Sequence, residues 1–181
     1  MNENGSVMTA ALLVLSLMLL LGLAASSSTT VEIQIATNDQ FTKMAFYNAD
    51  SALYGAAKLV SLSIDEDRAI AAGPGTRAPG IVYLNTGTDF YRRIAGLSDD
   101  DTEEPDLDFS AGGIDATVHV RRIRHRYADG GGVEFGAGAD GVAAGMVVIE
   151  YEINAKGTTP RGATSELSAI YRKVVGSSGG L

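Results

Sequence analysis

Cysteine and tryptophan are both absent from the 181 residues. Without cysteine the chain has no disulfide, thiolate zinc centre, iron–sulfur cluster or cysteine nucleophile. Histidine occurs only twice, as His119 and His125, so an imidazole-based metal triad lacks a third neutral-pH ligand. Basic residues are also few: 14 Lys and Arg stand against 22 Asp and Glu, net −8. That is the reverse of the footprint of a protein built to coat nucleic acid. Proline is limited to four positions, none before Pro74, which leaves the first part of the chain open to uninterrupted helix. A G-x-G-x-x-G match, Gly136 to Gly141, lies among seven glycines between Gly130 and Gly145 with no βαβ context. It reads as a loop and not as a nucleotide cradle. No enzyme activity, cofactor or metal is expected.

What the chain has in quantity is apolar residues at its N-terminus. From Val7 to Ala25 it reads VMTAALLVLSLMLLLGLAA, without charge or proline. These 19 residues approach the ~20 needed for a helix to cross about 30 Å of hydrocarbon. Thr9, Ser16 and Gly22 are the only interruptions, and membrane helices tolerate all three. A removed secretory signal is the alternative, with Leu23-Ala24-Ala25-Ser26 as its cleavage site. Such signals carry a basic leader and a shorter apolar core, whereas the first five residues here hold only Glu3 as a charge. A retained helix is expected.

Beyond it, Phe41, Ala45, Ala49, Ala52, Leu53, Ala56 and Val60 recur mostly at steps of three or four. This is the one-sided stripe of an amphipathic helix. Asn38, Asp39, Lys43, Asn48, Asp50 and Lys58 occupy the other positions. A membrane-length segment therefore runs into an amphipathic helix over 31–62. Uninterrupted from Ser6 to Leu62, it would extend about 85 Å. The Ser/Thr run Ser26 to Thr30 is the expected site of a break or bend, because such side chains compete for backbone hydrogen bonds.

Three separated elements carry a family resemblance: Ser28-Thr29-Thr30-Val31-Glu32, then Ala36-Thr37-Asn38, then Ala45-Phe46-Tyr47-Asn48-Ala49-Asp50-Ser51-Ala52-Leu53. Preceded by the apolar segment and by Gly5-Ser6, they resemble the N-terminal region of PilX-type minor pilins of type IV pili, over residues 5 to about 60. The resemblance implies a leader peptide at 1–5, cleaved by prepilin peptidase between Gly5 and Ser6, and an N-methylated mature chain starting at Ser6. It implies a pilin-like α+β fold, with a long N-terminal helix (6–62; membrane-spanning 7–25, amphipathic 31–62) packed on a small antiparallel β-sheet. Implied partners are inner-membrane lipid before assembly, then other minor and major pilins. The head would be periplasmic, and later at the pilus or cell surface. Leu12, Leu13, Leu15, Leu19, Leu20 and Leu23 would form the subunit-interface helix, while Ala36, Ala45, Ala49, Ala52 and Leu53 would pack the sheet. Major pilins carry glutamate at the fifth mature position, where this chain has Ala10. That departure points to a tip or priming role in assembly and initiation. The alternatives are a single-pass anchored or secreted binding domain, and a K-type pseudopilin of a type II secretion system. The latter usually carries a large helical insertion, and no such stretch is seen in residues 61–181.

In that remainder, residues 63–181 form the expected β-rich head. Net charge is −2 over residues 1–60, −7 over 61–110 and +1 over 111–181. Gly73-Pro74-Gly75 and Ala78-Pro79-Gly80 mark turns, followed by the short apolar run Ile81 to Leu84. Asp99 to Asp108 holds seven acids in ten residues. It reads as a solvated acidic loop; clustered carboxylates also suit Ca²⁺, but EF-hand spacing is missing. Ile114, Ala116, Val118 and Val120 alternate with polar residues, and after Arg122 the phase shifts to Ile123, His125 and Tyr127, as across a β-bulge. Val147, Ile149, Tyr151 and Ile153 mark a second strand, and Leu167, Ala169 and Tyr171 a third. A turn over Lys156 to Gly162 joins these two. The bases from Arg121 to Arg126 are expected beside Glu150 and Glu152 as cross-strand pairs, which makes DNA binding the less favoured reading of that cluster.

Overall fold

The computed structural model describes residues 3–98, 104–110, 113–127 and 147–175. In chain order the elements are α1 (Glu3–Asp65), β1 (Ile81–Tyr83), α2 (Gly87–Ala95), β2 (Leu107–Phe109), β3 (Ala116–Tyr127), β4 (Val147–Thr158) and β5 (Thr164–Val175). A long N-terminal helix and an antiparallel sheet are thus present, as expected, and the sheet has five strands. The chain divides into two compact units, Met1–Phe41 and Thr42–Leu181, and α1 supplies residues to both.

In the first unit α1 is helical throughout, so the break expected at Ser26–Thr30 does not occur. The hydroxyls there hydrogen-bond in a way that keeps the helix. Thr29 Oγ1 donates to the carbonyl of Ala25 (3.0 Å), Thr30 Oγ1 to Ser26 (2.9 Å), and Thr37 Oγ1 to Ile33 (2.7 Å). Each reaches back one turn instead of recruiting an amide in a non-helical conformation.

In the second unit the alanine stripe packs as predicted. Ala45, Ala49, Ala52 and Ala56 are fully buried, with Leu59 and Val60 continuing the stripe. Leu53 packs at its margin. Ala36 does not join them: it is exposed and belongs to the first unit. The β4 end of the last hairpin lies against α1 at Ala45, Asn48 and Ala49. α1 continues to Asp65, past the expected end at Leu62. It closes with the Arg68 amide donating to the Ser63 carbonyl (3.1 Å) around Asp67, whose φ is 54°. This is a Schellman-type stop with aspartate where glycine is usual.

The sheet is an antiparallel meander in the order β1-β2-β3-β4-β5. Its inner face contributes Leu107, Phe109, Ala116, Val118, Val120, Ile149, Tyr151, Ile153 and Ala155 to one core with α1 and with Phe90 and Ile94 of α2. The bulge is where the phase shift placed it, between Arg122 and Arg124. His125 and Tyr127 then lie opposite Ile149 and Val147. Ile123 is the extra residue and is exposed, so it starts no new buried phase. The last turn is shorter than expected: β4 runs through Lys156 and Gly157, and the reversal occupies 159–163, with the Gly162 amide donating to Thr159 (2.8 Å).

Helix α2 was not foreseen in the stretch rich in turn signals and acids. Its cues are local. Thr86 is the N-cap, and its hydroxyl accepts from the Asp89 amide (3.1 Å). Phe90 and Ile94, one turn apart, face the core, and Gly96 ends the helix at φ 75°.

Helix and sheet approach most closely at Gly157. A Cβ there would lie 2.1 Å from the Ala45 carbonyl oxygen and 2.6 Å from the Ala49 nitrogen, both backbone atoms. Beside it, Asn48 Nδ2 donates to the Thr158 carbonyl (2.8 Å). Gly157→Ala is therefore expected to lower the stability of the head by roughly 1–3 kcal/mol through overpacking. Chemical denaturation of the full chain in detergent, followed by tyrosine fluorescence, reads this directly.

Candidate functional site

The helical segment from Val7 to Ala25 is apolar on every side. Leu12, Leu15, Leu19 and Leu23 succeed one another at steps of three and four, and Leu13 and Leu20 lie a heptad apart on another face. All six are open, from 59% exposed at Leu12 to 70% at Leu13. The one side-chain hydroxyl in its middle, on Ser16, is internally satisfied by donating to the Leu13 carbonyl (2.9 Å), as a low-dielectric setting requires. Burying a leucine is worth ~1.5–3 kcal/mol, so covering these six is worth on the order of 10 kcal/mol. A helix apolar all round is stable only inside lipid or among other apolar segments. Among the described residues, one helix is long and apolar enough to cross a membrane. The proposed junction residues Gly5 and Ser6 lie in the first turns of α1.

The head carries two charged nodes that sequence reasoning saw only in part. Asp106, expected in a solvated acidic loop, is buried. It lies immediately before β2, where its carboxylate accepts from the Val120 amide (2.8 Å), pairs with Arg93 of α2 and lies 3.2 Å from His119 Nδ1. Its own backbone binds both neighbours: Leu84 N–H donates to its carbonyl (2.9 Å), and its N–H donates to Val118 (2.8 Å). Asp106 thus ties β1, β3 and α2 together. Positions 99–103 of the acidic stretch, and the glycine-rich loop with its G-x-G-x-x-G match, fall outside the described residues.

The second node is on the outer face of the sheet. Arg121 pairs with Glu152 and Arg124 with Glu150, the cross-strand arrangement expected from the sequence. Glu150 was expected to be merely near these bases. It is instead covered by them and only 2% exposed. Arg124 Nε donates to it at 2.6 Å, Arg172 Nε lies at 3.1 Å, and Arg126 Nε at 3.8 Å. The hydrogen bond from Arg124, with the charges of Arg124, Arg172 and Arg126, holds its carboxyl below the usual glutamate range against the opposing effect of burial. Arg122, between these bases in sequence, faces inward and donates to the Ala95 carbonyl (2.6 Å) at the end of α2, where a cation suits the helix dipole. Tyr151, in the core, donates to Ile94 (2.9 Å), and burial pushes its phenol up to about 12. Among the described residues, no three His, Asp or Glu side chains converge as metal ligands.

These charged groups pair across strands and with α2 and tie the head together; Arg93 and His119, beside Asp106, also line surface clefts. The apolar segment is the part of the chain that needs something outside itself. No family model, curated protein or solved structure matches the chain.

A carboxyl with a lowered native pKa contributes stability that is complete above the ordinary glutamate range. That contribution is lost as pH falls toward the native value. Acid titration of the head should therefore show a stability loss beginning below the ordinary glutamate pKa. Glu150→Gln should be less stable at neutral pH and flatter across that acid window, as read by thermal melts at a series of pH values.

Proposed function

We propose that this chain is a minor type IV pilin, matured at Gly5-Ser6 and incorporated through its N-terminal helix at a pilus tip or in a priming complex. The observation that carries the reading is the passage, within one helix, from an uncharged and fully exposed apolar segment to an alanine stripe seated under an antiparallel sheet. This is the division of labour that a pilin needs. Before assembly, lipid covers Leu12 to Leu23. On assembly the same side chains are transferred to the apolar segments of neighbouring subunits, and little water-exposed area is created at any stage. The head stays in the aqueous compartment, held by its own core. The order and distance of the Ser28–Glu32, Ala36–Asn38 and Ala45–Leu53 elements support the same reading. Ala10 supports a tip or initiating position, because an unpaired carboxylate in the bilayer is costly and shaft subunits pair it with a neighbour.

The decisive experiment is the N-terminus of the mature protein, expressed in a host with prepilin peptidase. Mass spectrometry is expected to find a chain starting at N-methylated Ser6. Gly5→Leu should block that processing and leave the unprocessed chain in the membrane fraction. A mature chain starting near Ser26, or an unprocessed Met1, would return the protein to the class of secreted or membrane-anchored binding domains.

A further inference from the structure

The outer face of the sheet carries a cleft of about 460 Å³ toward the β4–β5 turn, a size within the range of small-molecule sites. Two cross-strand rows line it. His119 of β3 lies opposite Asn154 of β4, which in turn lies opposite Ser168 of β5. One step nearer the turn, Thr117 lies opposite Lys156, and Lys156 opposite Glu166. These positions face outward because the residues that alternate with them, Val118, Ile153 and Ala155, are buried in the core. Pro105, two residues before β2, and the edges of Ala155 and Leu167 complete the lining.

The cleft differs from the rest of this face in how its polar groups are satisfied. Farther along, they consume one another: Arg121 pairs with Glu152, and three arginines surround Glu150. In the cleft only Lys156 and Glu166 do so, at 3.1 Å, and their charges cancel. Among the described residues, the side chains of Thr117, Asn154 and Ser168 have no hydrogen-bond partner. His119 is fixed from behind. Its Nδ1 lies 3.0 Å from the Glu104 carbonyl oxygen and 3.2 Å from the carboxylate of buried Asp106, which Arg93 also holds. Both neighbours are acceptors, so Nδ1 carries a proton and Nε2 is the nitrogen left to the cleft.

The groups without partners are therefore one imidazole nitrogen, one carboxamide and two hydroxyls. Such a set both donates and accepts, and it brings no fixed charge. An anion would find the lysine of the cleft already occupied, and an apolar ligand would strand four polar groups. A sugar fits both conditions. Its hydroxyls donate and accept at close spacing around a ring, and its C–H faces suit Pro105, Ala155 and Leu167. Neighbouring strands are ~4.7–4.9 Å apart, so successive residues of a row can meet successive edges of one pyranose. We propose that this cleft binds a neutral saccharide, with His119, Asn154 and Ser168 hydrogen-bonding its hydroxyls and Thr117 at the margin. The site lies wholly in the head, makes no demand on the direction of α1, and takes no part in maturation at Gly5-Ser6. It stands or falls separately from the pilin reading.

The test uses the full chain in a detergent without a sugar headgroup. Saturation-transfer NMR is run with a panel of neutral disaccharides, a sialylated trisaccharide and tetra-alanine as probes. At least one neutral disaccharide is expected to bind. Asn154→Ala should weaken that binding roughly three- to tenfold, the worth of one or two hydrogen bonds. Ser168→Trp should abolish it by filling the cleft. Thermal melts of both variants should match the parent, since neither side chain has a partner in the head to lose. Silence from every neutral disaccharide overturns the proposal. So does binding that survives both substitutions, or a preference for the sialylated sugar or the peptide over the neutral sugars.

Discussion

The close approach of α1 to β4 is the constraint on which the head depends. A glycine on the strand and alanines on the helix let the two backbones come together at Gly157, Ala45 and Ala49, and Asn48 stitches the helix to the Thr158 carbonyl. A larger side chain at any of these positions would force helix and sheet apart and open the core between them. The same economy recurs at Gly55, where a Cβ would lie 2.5 Å from the ring of Phe109. The helix is thus fitted to the sheet by residues that contribute little apolar area each. The largest buried side chains come mostly from the other side, Tyr151, Phe90, Ile94, Leu107 and Ile153, with Leu59 the largest that α1 supplies. Small residues set the distance between the layers, and large ones fill what remains.

This arrangement explains why one helix can serve two solvents. A stripe of alanines is only weakly apolar, so the second half of α1 needs a sheet to cover it and does not draw lipid. The first half is rich in exposed leucines, and the hydroxyls of Ser16, Thr29 and Thr30 are turned back onto the helix. Continuity through Ser26–Thr30 follows from the same chemistry. Hydroxyls one turn above a carbonyl close on it, and no water or side chain is needed to complete the backbone there.

Much of this was legible in the sequence because the signals were periodic. The alanine stripe, the alternation along β3, β4 and β5, the bulge after Arg122 and the pairing of Arg121 and Arg124 with the β4 glutamates all follow from spacing and charge alone. What escaped was set by local caps or by tertiary placement. α2 is nine residues long, too short for periodicity to stand out, and its Thr86 to Asp89 cap and Gly96 stop were masked by neighbouring turn residues. Asp106 looked like one acid among seven; only the position of β2 beside Val118 and Val120 buries it. Ala36 carried the right residue at the right step, yet it is exposed and belongs to the first unit, which helix spacing cannot report.

Charge placement completes the head's construction. The chain is acidic, yet the outer face of its sheet gathers Arg121, Arg124, Arg126 and Arg172 around Glu150 and Glu152. A lone buried glutamate would be costly there, and four neighbouring arginines without it would repel. Together they form a unit that spans three strands and ties β3, β4 and β5 together at the end away from the hairpin. The rigidity matters most for β5, which has a neighbour on one side only. An edge strand frays unless its register is fixed, and here Arg172 on the outer face and Lys173 on the inner face fix it from both sides, through Glu150 of β4 and Asp65 of α1. At twelve residues against three in β1, β5 is the longer of the two edge strands, and it is held in register from both of its faces.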